Sequence, residues 1–267
     1  MIVAERDGRY VLTTNDDHAR MAGQLAGMLG GTALPEQDRR EEFVYAVTEH
    51  DRAWIGLDEA PVWNDRASRP YSVSDYPMPI RLPHYLKGLE EVASISEYAG
   101  LLCSMHYTAI PPNAVQGAAG GIGPKTFAVI AAAKEREKQM LGRLDLDAEG
   151  IRLLEKHLRL LQALDRMSLW ISTQQFDETS SGDNDPYRLM FGSTEEGFLH
   201  DGFRLRWSAR QTVRVEPYPW IGPVTLSWKR KELSVRRTAE LGLLHAWQES
   251  PYAETSIQVL PEGSGSA

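Results

Sequence analysis

The chain has few of the features that mark secreted, membrane-bound or disulfide-stabilised proteins. Its single cysteine among 267 residues, Cys103, excludes an internal disulfide and stands in an apolar segment, so we expect a buried thiol rather than a nucleophile. No run of about 18 apolar residues could span a bilayer. The first seven residues lack the apolar segment of a signal peptide. We therefore expect a cytoplasmic protein with no membrane partner.

Positive charge is also scarce. Lysine and arginine number 29 against 37 aspartates and glutamates, which gives a formal net charge of -8. Nucleic acids and anionic surfaces attract proteins through clustered positive charge, so we expect no nucleic-acid partner. A small-molecule substrate is the expected partner, and a homodimer is left open. The 42% of hydrophobic residues is ordinary for a folded protein with a large core.

Helical periodicity dominates the first two thirds of the chain. After the capping residues Thr14 to Asp17, apolar stripes predict a first helix ending near Gly30 and further helices over about 36–51, 84–93, 97–108, 124–141 and 147–172. A proline-rich stretch at 54–83 predicts a long ordered loop, and the glycine-rich stretch 111–124 predicts a lid.

Beyond Phe176 the pattern becomes strand-like. Strands are predicted there at 203–207, 213–215, 224–228 and 256–260, with 229–231 as a hairpin turn and a last helix at 239–248. One more short strand is predicted near the N-terminus, at 10–13. The expected fold is mainly α, a helical bundle with a small β-rich C-terminal appendage. The expected division is a helical metal-binding core at 1–176 and a strand-rich extension at 177–267.

Several polar residues interrupt the apolar stripes of these helices. His18 begins one stripe, His106 shares another with Leu102, and Asp165 lies in a leucine-rich face. A lone histidine in such a position is more often a hydrogen-bonded core residue than a ligand. An unpaired buried carboxylate is costly, however, so Asp165 needs a partner.

Taken together, these residues have the composition of a metal site. Imidazole and carboxylate ligands suit iron, manganese, zinc or nickel. The adjacent pair His50-Asp51 adds one ligand of each kind, and His84 lies between the others in sequence. Successive helical side chains diverge by about 100°, so the pair could serve one cluster if the carboxylate leans toward a second metal. One metal centre explains all six residues at once.

The order of these residues, His, then His-Asp, then a distant Asp, resembles the HD-domain superfamily of all-helical metalloenzymes. The resemblance implies that His18, His50, Asp51 and Asp165 are the core ligands. The additional histidines resemble the dinuclear branch, which includes cyclic-dinucleotide phosphodiesterases and di-iron oxygenases, and imply that His84 and His106 hold the second metal. More closely, the segments 17–19, 49–54 and 98–106 resemble an uncharacterised bacterial family, domain of unknown function 3891.

The function this implies is a metal-dependent hydrolase of the HD type acting on a small anionic or phosphorylated substrate through a metal-bound hydroxide. Asp51 is the expected catalytic residue because it would bridge two divalent ions. Iron or manganese is expected, with zinc and nickel as alternatives. A di-iron oxygenase and a non-catalytic metal-binding protein are the competing hypotheses.

Substrate binding is harder to place. Many HD enzymes carry a lysine soon after the HD pair to contact substrate phosphate, and here Arg52, Ala53 and Trp54 follow instead. Arg52 and Lys125 are the predicted replacements, together with Trp54 as a pocket aromatic; Arg81 and Lys87 are further candidate cations. Trp54 has an alternative role, because aromatics in a proline-rich loop usually anchor the loop to the core.

Overall fold

A layer of helices packs on a curled β-sheet in the computed structural model of the chain. The structure describes residues 1–30, 39–109, 124–173, 198–200 and 202–263, with the backbone alone for 124–126 and 198–200. The predicted lid at 111–124 therefore lies almost wholly outside the described residues. None of the described helices combines the length and the apolar character needed to span a bilayer.

Six helices form the layer that carries the histidines. Their bounds are α1 (Asn15–Met28), α2 (Arg40–Glu49), α3 (Met78–Ile95), α4 (Glu97–Ala109), α5 (Pro124–Leu144) and α6 (Ala148–Thr173), and a 3-10 helix (Arg52–Leu57) follows α2. Thr14 caps α1 by accepting a hydrogen bond of 2.9 Å from the backbone N–H of Asp17. Helix α6 contacts α1, α2 and α4, and α2 also contacts α1 and α4, so residues distant in sequence meet between them.

The sheet takes strands from both parts of the chain. Its members are β1 (Ile2–Arg6), β2 (Arg9–Thr13), β5 (Phe198–His200), β6 (Phe203–Ala209), β7 (Thr212–Glu216), β8 (Val224–Ser234) and β9 (Ala253–Pro261). The order across the sheet is β1-β2-β8-β9-β7-β6-β5, with β7 and β9 parallel and the other neighbours antiparallel. Two short helices, α7 (Val235–Leu241) and α8 (Leu243–Glu249), connect β8 to β9, and β3 (Trp63–Asn64) pairs separately with β4 (Arg69–Pro70).

The main core lies between the helices and one face of this sheet. Trp170 of α6 stacks on Trp207 of β6 with ring centroids 5.8 Å apart. The indole N–H of Trp220 donates a 2.8 Å hydrogen bond to the backbone carbonyl of Leu25 in α1. These contacts join the helical layer to the sheet through a shared apolar interface.

The predicted fold class is therefore wrong. The sheet is not a small C-terminal appendage, because the N-terminal strand β2 pairs along its whole length with β8, and α1 packs directly on β8. The N-terminal strand β1 was not predicted at all. The division at residue 176 stays a prediction, although strands from both sides of it share one sheet.

Three segments have a local structure that differs from the prediction. Residues 229–231, predicted as a turn, lie inside β8, where alternate charged side chains face opposite sides. The third helix begins at Met78 rather than His84, with Pro79 in its first turn and Pro83 inside it. The predicted last helix is two helices that meet at Gly242, whose φ of 82° ends the first of them.

Candidate metal centre

Five of the predicted ligands converge where four helical elements meet. His18 comes from the first turn of α1, His50 and Asp51 follow the end of α2, His106 lies in the last turn of α4, and Asp165 belongs to α6. His18, His50, Asp51 and His106 are all buried, and Asp165 is mostly covered. The side chains that interrupt the apolar stripes therefore meet in one polar cluster.

The carboxylate of Asp165 is at the middle of this cluster. Its Oδ1 lies 3.0 Å from His18 Nε2 and 3.4 Å from His50 Nε2. Its other oxygen, Oδ2, lies 3.8 Å from His106 Nε2. Asp51 contacts the same two histidines: its Oδ2 lies 3.9 Å from His50 Nε2 and 4.0 Å from His18 Nε2.

Hydrogen bonds fix the orientation of two imidazoles. His50 Nδ1 lies 2.7 Å from the carbonyl oxygen of Val47, which can only accept, so Nδ1 carries the proton. His18 Nδ1 lies 2.9 Å from the Ser168 hydroxyl, which donates to the carbonyl oxygen of Asp165 and so accepts from His18. Both rings thus turn Nε2 toward Asp165, as metal-binding histidines do when an outer partner holds the other nitrogen.

A tyrosine holds the second carboxylate. The Tyr107 hydroxyl donates to Asp51 Oδ1 at 3.1 Å, which leaves Oδ2 facing the histidines. Burial raises the pKa of Tyr107 well above its usual range, so the phenol stays a donor near neutral pH. The ring of Tyr107 stacks on that of Tyr85 with centroids 4.5 Å apart, which supports its position.

The pKa values of the cluster favour a positive charge on an imidazole and a negative charge on a carboxylate. Burial acts to lower the pKa of His50, but Asp51 and Asp165 outweigh it and raise it to about 9. Burial acts to raise the pKa of Asp165, but its close contacts with the imidazoles of His18 and His50 hold it well below its usual range. Burial raises the pKa of Asp51 and lowers that of His106 to about 4. The cluster therefore favours an ionised Asp165 among imidazoles.

The donor set fits a divalent metal ion. Two atoms bound to one ion at about 2.1 Å are separated by about 3.0 Å at a right angle and by about 4.2 Å across the ion. The four contacts of His18 and His50 with the two aspartates, 3.0 to 4.0 Å, lie within this range. In addition, His50 Nε2 and His106 Nδ1 are buried and have no hydrogen-bond partner among the residues that the structure describes.

Two overlapping groups of ligand atoms exist within the described residues. One is His18, His50 and Asp51, and the other is His50, His106 and Asp165. An imidazole nitrogen offers one lone pair, so His50 can serve only one ion. The overlap alone therefore does not imply two ions. Asp165, with an oxygen toward each side, is the residue that could connect two.

His84 is not part of either group. It lies in the second turn of α3, half-buried, and its ring is next to Gly56 of the 3-10 helix, where an added Cβ would lie 3.6 Å from His84 Cε1. Its predicted role as a ligand of a second ion stays a prediction.

The predicted substrate-binding residues occupy different environments. Arg52 is committed to two ion pairs, at 2.8 Å from Glu91 and 3.3 Å from Glu49. Trp54 is buried and packs edge-on against Tyr76 and Tyr85, which agrees with its alternative role of anchoring the loop. The side chain of Lys125, in the first turn of α5, lies outside the described residues.

Arg81 is the cation that the structure distinguishes. It is only 5% exposed, its Nη1 donates to the carbonyl of Val73 at 3.0 Å, and its Nε and Nη2 have no partner in the described chain. Tyr85 connects it to the metal centre, because Arg81 Nη1 donates to the Tyr85 hydroxyl at 3.4 Å and the Tyr85 ring stacks on Tyr107. A buried guanidinium without a carboxylate is costly unless an anion joins it.

Sequence reasoning missed the supporting residues Ser168 and Tyr107. Ser168 lies three residues after Asp165, on the same face of α6, and Tyr107 follows His106; their spacing from the ligands was the available signal. A further histidine, His157, is fully buried away from this cluster: its Nδ1 lies 2.8 Å from the Tyr98 hydroxyl. The single cysteine, Cys103, is buried as predicted.

The chain was compared with known proteins. A family model described as "Protein of unknown function (DUF3891)" matches residues 1–235. Neither the search of curated proteins nor the search of solved structures found a match.

Proposed function

The chain belongs to the DUF3891 family of proteins of unknown function, and we propose that it is a metal-dependent hydrolase whose substrate is a small anionic, phosphorylated molecule. The observation that carries this proposal is the convergence of imidazole and carboxylate groups on Asp165. The imidazoles of His18 and His50 lie 3.0 and 3.4 Å from Asp165 although the three residues come from separate parts of the chain.

The ligands we assign are His18, His50, Asp51 and Asp165. Their order along the chain is the one that resembles HD-type enzymes, although the fold as a whole differs from an HD bundle. Asp165 Oδ2 and His106 lie beside this set, where they could contribute to a second ion. Iron or manganese is proposed because the set mixes imidazole with carboxylate and contains no thiolate, since Cys103 is not among the ligand groups.

A bound divalent ion would supply Lewis-acid activation of water and of the substrate oxygen. The protein supplies position and charge. Tyr107 holds one oxygen of Asp51 so that the other stays directed at the histidines. Val47 and Ser168 fix the two imidazole tautomers, so neither ring has to turn before it binds.

Arg81 supports the choice of an anionic substrate. Its unpartnered Nε and Nη2 present two donors in the fork geometry that matches a phosphate or carboxylate. A chain of contacts connects it to Asp51. Arg81 Nη1 lies 3.4 Å from the Tyr85 hydroxyl, the rings of Tyr85 and Tyr107 stack with centroids 4.5 Å apart, and the Tyr107 hydroxyl lies 3.1 Å from Asp51 Oδ1. Arg81 therefore replaces Arg52 as the proposed substrate-binding cation.

Elemental analysis and a phosphoester panel test the proposal together. We expect the protein purified without added metal to contain iron or manganese, and cleavage of at least one phosphoester to require it. Asp51→Asn keeps the volume and the Tyr107 contact but weakens the ligand, so it should lose metal and activity while the far-ultraviolet circular dichroism is unchanged. His245→Gln is the matched control, because His245 is an exposed surface histidine paired with Glu249.

The same measurements separate the competing hypotheses. Two iron ions per chain with oxygen consumption and no phosphoester cleavage would replace the hydrolase by a di-iron oxygenase. Bound metal that raises the melting temperature without any turnover would leave a non-catalytic metal-binding protein. A protein that binds no divalent metal would refute all three.

A further inference from the structure

A second polar cavity lies in the curl of the sheet, formed by different residues from those of the metal centre. It has a volume of about 530 Å³ and is lined by residues of β1, β2, β6, β8 and β9 and of the turns that follow β1 and β6. Pockets for small ligands commonly measure about 300 to 1,000 Å³. This cavity is therefore large enough for a small organic molecule.

The strand pattern places charge on the inner face. Along β8, Leu226, Trp228, Arg230 and Glu232 share one side of the sheet, the side that packs on the helices at Leu226. Trp228 is the last apolar residue on this face, and the next two residues on the same face, Arg230 and Glu232, are charged. An arginine on the inward face of a strand needs a reason, because such positions are usually apolar.

The acid next to Arg230 does not neutralise the cavity. Glu232 accepts from Arg230 Nη2 at 2.7 Å through one oxygen and from Arg9 Nη1 at 2.8 Å through the other. One carboxylate is thus shared by two guanidinium groups. These three side chains together carry one net positive charge at the cavity.

Hydrogen-bond donors without acceptors are concentrated in the same lining. Arg230 Nε and Nη1 and the indole Nε1 atoms of Trp207 and Trp228 are buried and have no partner within the described residues. Buried tryptophan and arginine N–H groups usually find an acceptor. All four groups can only donate, so a ligand that satisfies them must supply acceptors.

We propose that this cavity is a binding site for a small organic anion whose carboxylate or phosphate group is held by Arg230, with the indoles of Trp207 and Trp228 against its body. The charge selects the sign of the ligand, the unpartnered donors require acceptor oxygens, and the two aromatic rings accommodate an apolar part. The site is independent of the metal centre, so it does not depend on the proposed hydrolase activity.

Calorimetric titration of the full chain tests this site. The protein is first treated with EDTA, so that no metal can bind the anion, and is then titrated with inorganic phosphate and separately with benzoate. We expect at least one of them to bind. Arg230→Gln should weaken that binding by about tenfold or more, since hydrogen bonds to charged groups are the strong ones.

Two further variants complete the test. Trp228→Phe removes one N–H and keeps most of the ring, so it should weaken binding by about two- to tenfold. Arg204→Gln is the matched control, because Arg204 is an exposed arginine on the opposite face of β6, and it should bind as the unaltered protein does. Trp228→Phe also tests the site if Arg230→Gln fails to fold.

Preference between the two probes identifies the anionic group as phosphate or carboxylate, and either result supports the proposal. The proposal is overturned if neither anion binds at millimolar concentration. It is also overturned if Arg230→Gln binds the anion as tightly as the unaltered protein, because the anion would then bind elsewhere, for example at Arg81. Equal weakening in Arg204→Gln and Arg230→Gln would overturn it as well, because the interaction would then be general attraction to surface charge.

Discussion

The metal centre and the sheet cavity are both buried polar regions, but their chemistry is opposite. In the metal centre, imidazole nitrogens and carboxylate oxygens meet. His50 Nε2 has no hydrogen-bond partner within the described residues and offers a lone pair to a metal ion once it has lost its proton. In the sheet cavity, the atoms of Arg230, Trp207 and Trp228 that have no partner among the described residues can only donate hydrogen bonds. The first region is suited to a cation and the second to an anion.

The comparison shows that burial of polar groups does not by itself define a site. What distinguishes the two regions is which half of a hydrogen bond is missing. Because the two regions lack opposite partners, ligands of opposite charge should stabilise the protein through different residues, and each ligand should be indifferent to changes in the other region.

The largest expected effect is stabilisation by metal. At a free metal concentration of about 100 times the dissociation constant, binding to the folded state adds about 2.7 kcal/mol to the free energy of unfolding. For a chain of this size that raises the melting temperature by roughly 5 to 10 °C. Differential scanning fluorimetry with manganese should show the shift in the unaltered protein and in Arg230→Gln.

Asp165→Asn should lose this stabilisation by manganese, because it removes the negative charge that both His18 and His50 contact. Its melting temperature should not respond to manganese. A shift of equal size in Asp165→Asn would mean that the ion binds elsewhere, and the contrast between the two regions would fail.

His157 gives the next effect, because it is a buried imidazole that forms no ion pair with a carboxylate of the described residues. Burial lowers its pKa to about 4 from 6.5. Between pH 4 and 6.5 the unfolded chain therefore binds more protons than the folded one. The contribution of His157 to the free energy of unfolding is complete above about pH 6.5 and is lost as the pH falls toward 4. The loss should be roughly 2 to 3 kcal/mol.

Urea unfolding of the metal-free protein at pH 7 and pH 4.5 measures this loss. His157→Gln removes the titrating group, so its stability should depend less on pH over this window, whereas His245→Gln, altered at an exposed site, should behave as the unaltered protein does. An equal pH dependence in all three proteins would show that His157 does not titrate as described.

The approach of α3 to the 3-10 helix predicts a smaller effect. A Cβ added at Gly88 would lie 2.6 Å from the backbone nitrogen of Ala53, close to Asp51. Gly88→Ala should therefore cost about 1 to 3 kcal/mol, because backbone must move. Gly142→Ala, in α5 with open space at its Cβ, should instead stabilise by roughly 0.5 to 1 kcal/mol.

Thermal unfolding of both glycine variants provides the measurement. We also expect Gly88→Ala to weaken metal binding, since the displaced segment begins next to Asp51, and Gly142→Ala to leave it unchanged. Equal stability of the two variants would contradict the close packing of α3.

The smallest effect is expected from Tyr107→Phe. Loss of the hydrogen bond to Asp51 should cost about 1 kcal/mol of stability and weaken metal binding by severalfold. Calorimetric titration with manganese measures the change. Tyr218→Phe is the control, because the Tyr218 hydroxyl donates to backbone carbonyls of Gly222 and Val259 in the sheet region, and this variant should bind manganese normally.

The sequence predicted the parts of the molecule that depend on local pattern. The apolar stripe with Asp165 at its centre gave α6 to within one residue at each end, and the stripe of His106 gave α4 equally well. The need of a buried carboxylate for partners predicted that Asp165 would have histidines near it. They lie 3.0 and 3.4 Å away.

The rest depended on pairing between distant segments. Strand β1 is five residues long, and its place is set by a hairpin whose second strand pairs with β8 more than 200 residues later. No local signal carries that information. The unpartnered donors of Trp228 and Arg230 are likewise visible only once the sheet is assembled, since in the sequence they read as a strand end and a charged turn.

The pairing of β2 with β8 has a consequence for biosynthesis. The first hairpin leaves the ribosome long before β8 is made, so one of its edges stays without a hydrogen-bonding neighbour while more than 200 residues are added. The nascent chain must keep that edge from pairing with another chain throughout this interval, and a chaperone that shields exposed strands should raise the yield of folded protein. The sheet can therefore be completed only after β8 has been made.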